Sequence, residues 1–312
     1  MLDVRKLIML RAVAAEGSIA GAARRLQYTR SAVSQQITIL EGEAGTALLD
    51  RTGNKIALTP AGNALVEHAE RILIELRVAE ATMLSHDEPA MTGLLRVGVP
   101  FGEGPPEWGR ALSEVRARFP GMEIKLVATT DELGADEVRR DELDMVIVSR
   151  YGVAEPETTP GLRSWVLGHD ELQLCVPVGH RLAGRSACDM SELKDESWIV
   201  CPATRLGQLT VSLCAIAGFE PRVVATVNDV STATGLVGFG WGITLAPHLT
   251  PAARGADFTR IPLSGTPIVR HTVVIVRDGD HLSPRIAATV EAMLALSGEI
   301  DHIGAASTFR AP

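Results

Sequence analysis

Cysteine is scarce in this chain: four residues in 312, at Cys175, Cys188, Cys201 and Cys214, evenly spaced but with no accompanying repeat. No Cys-x-x-Cys pair occurs, so a zinc site is not expected, and reduced thiols of a cytoplasmic protein are the plain reading. Long hydrophobic runs are missing too. No stretch of about eighteen apolar residues is present, so no membrane span is expected. The opening MLDVRKLIML carries Asp3, Arg5 and Lys6, and no apolar segment with a small-residue cleavage site follows, which argues against secretion. Enzyme signatures are lacking: there is no nucleophile elbow, no Ser-His-Asp order and no cofactor fingerprint. The segment GFGWG (238–242) lacks the GxGxxG spacing and follows a predicted helix, so it reads as tight packing and a turn. His169, Asp170 and Glu171 are adjacent on a predicted strand and point to opposite faces, which does not suit a metal. No catalytic residue, cofactor or metal is expected.

Excess positive charge is also absent. The net charge is −8, which by itself argues against a nucleic-acid partner. The distribution reverses that inference. Residues 1–58 hold eight Lys/Arg against five Asp/Glu, a net of +3, so the remaining residues carry −11. A basic head on an acidic body suits a protein whose head alone meets a polyanion. Hydrophobic residues at 46% and charged residues at 22% are ordinary for a globular protein, and the length allows two or three domains.

Helical spacing of Leu7, Leu10, Val13 and Ala14 predicts a helix over 4–14, stopped by Gly17. Ser18 can cap a second helix over 19–26, and Thr29 a third over 30–42. Two helices, a short turn and a polar-faced helix make the helix-turn-helix pattern. The segment ALLDRTGNKIALT then reads as two short strands around Gly53-Asn54, a wing. Pro60 can begin a long helix running to about 86. Along it Leu65, Ala69, Ile72, Leu76, Ala79 and Met83 form a seam with spacings of four and three, which can pack on its own domain or pair with a second copy; the length of the helix beyond a small head favours pairing, hence a dimer. SHDEPAMTG (85–93) breaks this helix as a hinge.

Beyond Gly93, strands alternate with helices. Strands are predicted at 94–99, 122–128, 144–149, 162–168, 171–177, 197–201, 222–227, 243–246, 258–262 and 268–276. Helices are predicted at 105–119, 131–140, 206–217, 229–239 and 284–297. Such alternation points to parallel sheets covered on both faces. The polar stretch 177–191 favours two subdomains over one continuous sheet.

The segment AVAAEGSIAGAARRLQYTRSAVSQQITILEGEAGTALLDRTGNKIALTPAGNAL (12–65) resembles the signature of the LysR-type transcriptional regulators. Glu16-Gly17-Ser18, Ala22-Ala23, Leu26, Ala32-Val33-Ser34, Gln36-Ile37, Leu40-Glu41, Gly45, Arg51, Leu58-Thr59 and Ala61-Gly62 carry the likeness. The third helix departs from it, opening on Thr29-Arg30-Ser31 where the family commonly has Ser-Gln-Pro. LLRVGV, DELDMVIV, VGHRLA and LVGFGWGITLAP are similar to the family's effector domain, more loosely. The resemblance implies a multidomain α/β chain: a winged helix-turn-helix DNA-binding domain (1–59), a linker helix and hinge (60–91), an effector-binding domain (92–300) and a tail (301–312). It divides the effector domain into two Rossmann-like subdomains, 92–166 with 268–300, and 167–267, as in periplasmic binding proteins. It implies a homodimer and homotetramer, an inverted-repeat operator in double-stranded DNA, and RNA polymerase as a further partner.

A helix in the major groove needs short hydrogen-bonding side chains for base edges and longer cations for phosphates. Arg30, Ser31, Ser34 and Gln35 on the first turn and a half of the third helix suit the groove, with Arg30 suited to guanine and Gln35 to adenine; Thr29 at the cap joins this polar face, and Thr38 suits a backbone contact. Arg51 and Lys55 flank the wing tip and suit phosphate or minor-groove contact.

In open α/β sheets, ligands sit beyond the carboxyl ends of the strands. Those ends supply Pro100, Phe101, Gly102, Thr129, Thr130, Ser149 and Arg150 from one subdomain, and Pro202, Ala203, Thr204 and Asn228 from the other. The resemblance places a small-molecule effector there. A helix opening near Asp131 suits a carboxylate, whereas Glu103 would repel an anion or pair with a cation. Cys201 and Cys214 fall where the peroxide-sensing members of the family keep their redox pair, at a different spacing, so a cysteine-based redox regulator is the alternative reading. An enzyme on the same body and a solute-binding transport protein are the readings from other classes.

Overall fold

The computed structural model describes residues 2–50, 56–86, 91–100, 107–152, 161–250 and 255–306, which divide into two compact units meeting at Met83 and Leu84.

In the first unit, α1 (Val4–Glu16) buries Leu7, Leu10 and Val13 on one face, and Asp3 caps it by accepting the Arg5 N–H at 2.7 Å. Gly17 ends it in the left-handed conformation, φ 61°. Ser18 accepts the Gly21 N–H at 3.0 Å and starts α2 (Ile19–Leu26). Gln27 turns the chain at φ 58°, and Thr29 caps α3 (Arg30–Ala44) by accepting the Ala32 N–H at 3.1 Å. Ala22 and Ala23, both buried, let the helices approach closely. The wing strands β1 (Leu49–Asp50) and β2 (Ala57–Leu58) pair antiparallel, and the tip at 51–55 lies outside the described residues. One carboxylate fixes the wing to α3: Glu41 Oε1 accepts the N–H groups of Leu48 at 2.9 Å and Leu49 at 3.1 Å.

Helix α4 (Pro60–His86) begins where Thr59 donates to the Ala47 carbonyl and accepts the Gly62 N–H. A Cβ at Gly62 would lie 2.2 Å from the Leu48 carbonyl oxygen, so only glycine allows this approach. Ala69 is fully buried in the head's core and Leu65 packs against it. Of the expected seam residues, Ala69 thus lies in the head's core and Leu65, half-buried, lies against it. Ile72, Leu76, Ala79 and Met83 are exposed in the single chain.

The second unit contains β3 (Gly93–Pro100), α5 (Glu107–Arg118), β4 (Met122–Thr129), α6 (Gly134–Arg139), β5 (Met145–Tyr151) and β6 (Leu162–Pro177). There follow β7 (Ser197–Val200), α7 (Arg205–Ile216), β8 (Arg222–Thr226), α8 (Val230–Gly238), β9 (Thr244–Pro247), β10 (Phe258–Pro262), β11 (Val269–Arg277) and α9 (Pro284–Ala306). Short 3-10 turns at Met190–Leu193 and Asp280–Leu282 complete it. One lobe holds the strand order β6-β11-β5-β3-β4, with α5 and α9 packed on one face and α6 on the other. The other lobe is built on the far half of β6, with β9 and β10, and on the parallel pair β7-β8.

Three features differ from expectation. The sheets are mixed: β3, β4 and β5 run parallel, as do β7 and β8, while β6, β9, β10 and β11 join antiparallel. Parallel pairing needs a crossover, which α5, α6 and α7 supply. No described helix separates β9 from β10 or β10 from β11. Second, 162–168 and 171–177 are one strand. β6 pairs with β11 through residue 171 and with β9 and β10 from 172 onward, so it belongs to both lobes, with a bulge at Leu167. Third, α9 continues to Ala306, into the expected tail. GFGWG is a packed turn: a Cβ at Gly242 would meet the Ser197 carbonyl oxygen at 2.3 Å.

Where β6 and β11 cross between the lobes, Arg270 Nε donates to Asp170 Oδ1 at 2.7 Å, and both side chains are almost fully buried. Asp170 Oδ2 accepts the Leu249 N–H at 2.8 Å. Removing one partner strands the other's charge in the interior. Asp170→Ala is expected to lower the unfolding free energy of the second unit by about 3–5 kcal/mol, measured by urea denaturation, with a loss under about 1 kcal/mol refuting the role.

Candidate functional site

Two surfaces bring the sequence-selected residues together, one in each unit. On α3, Val33, Ile37 and Leu40 are buried in the head's core. The opposite face exposes Arg30, Ser31, Gln35 and Thr38, with Ser34 half-buried. Thr29 is occupied as the cap, its hydroxyl 3.0 Å from that of Ser31. Thr38 donates to the Ser34 carbonyl at 3.1 Å, which leaves it an acceptor only. Arg30 and Gln35 make no hydrogen bond to described residues. Tyr28, which the sequence reading passed over, is 52% exposed just before the cap. Arg51 and Lys55 lie outside the described residues.

In the second unit, the parallel pairs β3-β4 and β7-β8 end on a shared cavity of about 290 Å³, lined by Pro100, Thr129, Thr130, Asp131, Glu132, Ala203, Thr204 and Asn228. Register explains the convergence: Pro100 pairs with Thr129 and Val200 with Thr226, so each pair terminates together. Six of the predicted residues line this cavity. Ser149 is instead buried behind it, Arg150 is half-buried, and Pro202 faces outward. Phe101, Gly102 and Glu103 lie outside the described residues. Asp131 and Glu132 are lining residues the sequence reading did not select. Extending the window two residues beyond Thr129-Thr130 would have found them.

The helix expected to open near Asp131 begins only at Gly134 and has six residues; 131–133 form a turn. Gly134 lets the start of this helix pack closely on β5, since a Cβ there would lie 2.6 Å from Val146. Asp131 Oδ1 accepts the Ser149 N–H at 2.6 Å, which joins the turn to the end of β5. Burial pushes the Asp131 carboxyl up to about 6, the Ser149 N–H opposes this, Glu132 adds to the rise, and Arg205 and Arg150 counter it. Glu132 reaches across the cleft to Arg205, its Oε1 3.8 Å from the guanidinium Nε.

The threonines are partly committed elsewhere. Thr204 donates to the Cys201 carbonyl at 2.9 Å and caps α7 through the Gly207 N–H at 3.1 Å. Thr129 donates to the Glu137 carboxylate. Thr130 accepts the Leu133 N–H at 3.3 Å and keeps its own proton available. All four cysteines are free and buried. Burial pushes the thiol of Cys175 up to about 12 and those of Cys188 and Cys214 up to about 11, which suppresses the reactive thiolate. His169 and Glu171 are exposed and Asp170 is buried, as alternation along a strand requires. No described helix is long and apolar enough to cross a membrane.

Residues 4–63 match the family described as bacterial regulatory helix-turn-helix protein, lysR family, and residues 90–297 match the LysR substrate binding domain. The HTH-type transcriptional regulator ShiR of Corynebacterium glutamicum (strain R) is 30% identical over 265 residues, 84% of this chain and 88% of that protein. The transcriptional dual regulator GltC of Bacillus subtilis (strain 168) is 26% identical over 278 residues, 88% of this chain and 91% of its own. Among solved structures, a full-length OxyR variant from Pseudomonas aeruginosa superposes with a TM-score of 0.62 at 18% identity, covering 95% of each chain, a likeness of fold.

The raised Asp131 carboxyl makes stability depend on pH. An unfolded chain holds such a group near about 3.9. The folded form therefore gains full support from it below about pH 4, and that support is lost as pH rises through about 6. Asp131→Asn keeps an acceptor for Ser149 and removes the loss. Urea unfolding of variant and parent is expected to show the variant gaining about 1 kcal/mol relative to the parent between about pH 5 and about pH 8. A difference independent of pH would contradict the assignment.

Proposed function

Because the chain belongs to the LysR family of bacterial transcriptional regulators, we propose that it reads an inverted-repeat operator with two copies of α3 and is controlled by a small molecule held between the lobes of its effector domain. The observation that carries the DNA half is the division of α3 into a face locked in the core and a face of Arg30, Ser31, Ser34 and Gln35 turned outward. Arg30 reads guanine by its two-pronged donor geometry, and Gln35 reads adenine. Arg51 and Lys55, in the segment between the wing strands, serve phosphate or minor-groove contact. Thr29 and Thr38 contribute mainly by holding α3, since their hydroxyls are engaged within the helix.

Two heads must be joined to read two half-sites. Ile72, Leu76, Ala79 and Met83 supply the joint, an apolar stripe exposed on α4 beyond the head. A homodimer follows, and a homotetramer through the effector domains, with RNA polymerase as the downstream partner. A molecule in the cavity contacts turns from both lobes, so its binding shifts the equilibrium between open and closed arrangements. Burial of the thiols favours a metabolite over an oxidant as the signal.

Arg30→Ala is expected to relax base preference at one position of each half-site, with a loss of about 1–3 kcal/mol in discrimination, read by binding titrations on operator variants. A uniform weakening on all sequences, with an unchanged preference, would reassign Arg30 to phosphate. Leu76→Glu is expected to convert the protein toward single copies in analytical ultracentrifugation and to abolish tight binding to the paired half-sites while leaving each head folded. An unchanged sedimentation coefficient would remove α4 from the dimer contact.

A further inference from the structure

On the reading that the cavity is the effector site, we propose that its ligand carries a cationic nitrogen, a protonated amine or amidine, seated on Asp131. The inventory of donors and acceptors around the cavity decides this. Both charged residues in the described lining, Asp131 and Glu132, are acids. Asp131 is only 7% exposed; its Oδ1 takes the Ser149 N–H, and its Oδ2 has no hydrogen-bond partner among the described residues. Oδ2 is not closed off from solvent, and on a residue that lines the cavity it can accept a donor brought by a ligand.

The described lining side chains offer few donors of their own. The protons of Thr129 and Thr204 are spent on Glu137 and on the Cys201 carbonyl, so these hydroxyls cannot donate to a ligand. Thr130 and Asn228 are the lining side chains with donors to spare. Among the described lining residues an acid would meet two carboxylates, and the cations that act on this turn, Arg205 and Arg150, already answer Asp131 and Glu132. An ammonium brings three donors and the opposite charge.

Glu132 gives the same nitrogen a second function. Its carboxylate stands 3.8 Å from Arg205 Nε, beyond hydrogen-bond distance, and that Nε is buried without an acceptor. Asp131 and Glu132 belong to one lobe and Arg205 to the other. A cation settling on the acidic turn competes with Arg205 for Glu132 and so changes the link across the cleft.

The test uses a matched series on one four-carbon chain: putrescine, γ-aminobutyrate, succinate and tetramethylene glycol, each added at equal concentration to the full-length protein. Thermal unfolding is followed in a buffer well above the titration range of Asp131. Putrescine and γ-aminobutyrate are expected to raise Tm, and succinate and the glycol to leave it unchanged. Asp131→Asn is expected to weaken amine binding about thirtyfold or more by calorimetry, without lowering its own unliganded Tm. Ala203→Trp, which fills the cavity from an exposed position, is expected to abolish binding of the whole series.

Stabilisation by succinate instead of the amines, abolished by Ala203→Trp, would keep the effector cleft and overturn the amine class. Amine stabilisation that survives both variants would place the ligand elsewhere and overturn the cleft reading as well. A series with no effect on Tm overturns the proposal for cations of this size.

Discussion

The pair formed by Arg270 and Asp170 anchors the effector domain where β6, the strand that belongs to both lobes, pairs with the start of β11. Both charges are removed from water, and Coulomb attraction alone would not compensate for that. The extra bonds do: Asp170 also takes the Leu249 N–H, which fastens the end of β9's turn to the crossing. The lobes are therefore hinged on two adjacent antiparallel strands held in fixed register. The turns at the carboxyl ends of the parallel strands, Thr129–Glu132 and Ala203–Thr204, line the cavity from the two lobes and are linked by the Glu132–Arg205 pair.

The head follows a different logic. Its core is small, so each connection is fixed by a polar contact with a definite partner. Asp3, Ser18 and Thr29 cap three helices in succession, and Thr59 caps the fourth. These local bonds set the angles at which α2 and α3 cross. The apolar residues Val33, Ile37 and Leu40 then orient α3 by burying one side and leaving the polar side outward.

Much of this was legible because it is written in local pattern. Gly17, Ser18 and Thr29 marked the helix ends, and the alternation of strands and helices after Gly93 marked the two-lobed body. The seam on α4 was visible as a spacing, but the spacing does not say what covers each position; Leu65 and Ala69 are covered by the head. The mixed pairing of β6, β9, β10 and β11 was not legible, because strand order depends on which segments lie side by side and not on their own composition. In the cavity, Thr129, Thr130, Ala203, Thr204 and Asn228 followed from the rule of strand ends. Asp131 did not, since its burial comes from a hydrogen bond to Ser149, eighteen residues away. The late start of α6, at Gly134 after a turn over 131–133, carries no signal in helical periodicity.

Gly62 has a mechanical meaning beyond packing. With no side chain there, the first turn of α4 rests on the Leu48 carbonyl, while Glu41 clamps the next peptide units of the same segment to α3. Rod, wing and reading helix are thus welded at neighbouring atoms, with no joint between them. A substitution at Gly62 would therefore disturb three elements at once, because α4, the wing and α3 all meet at the Leu48–Leu49 backbone.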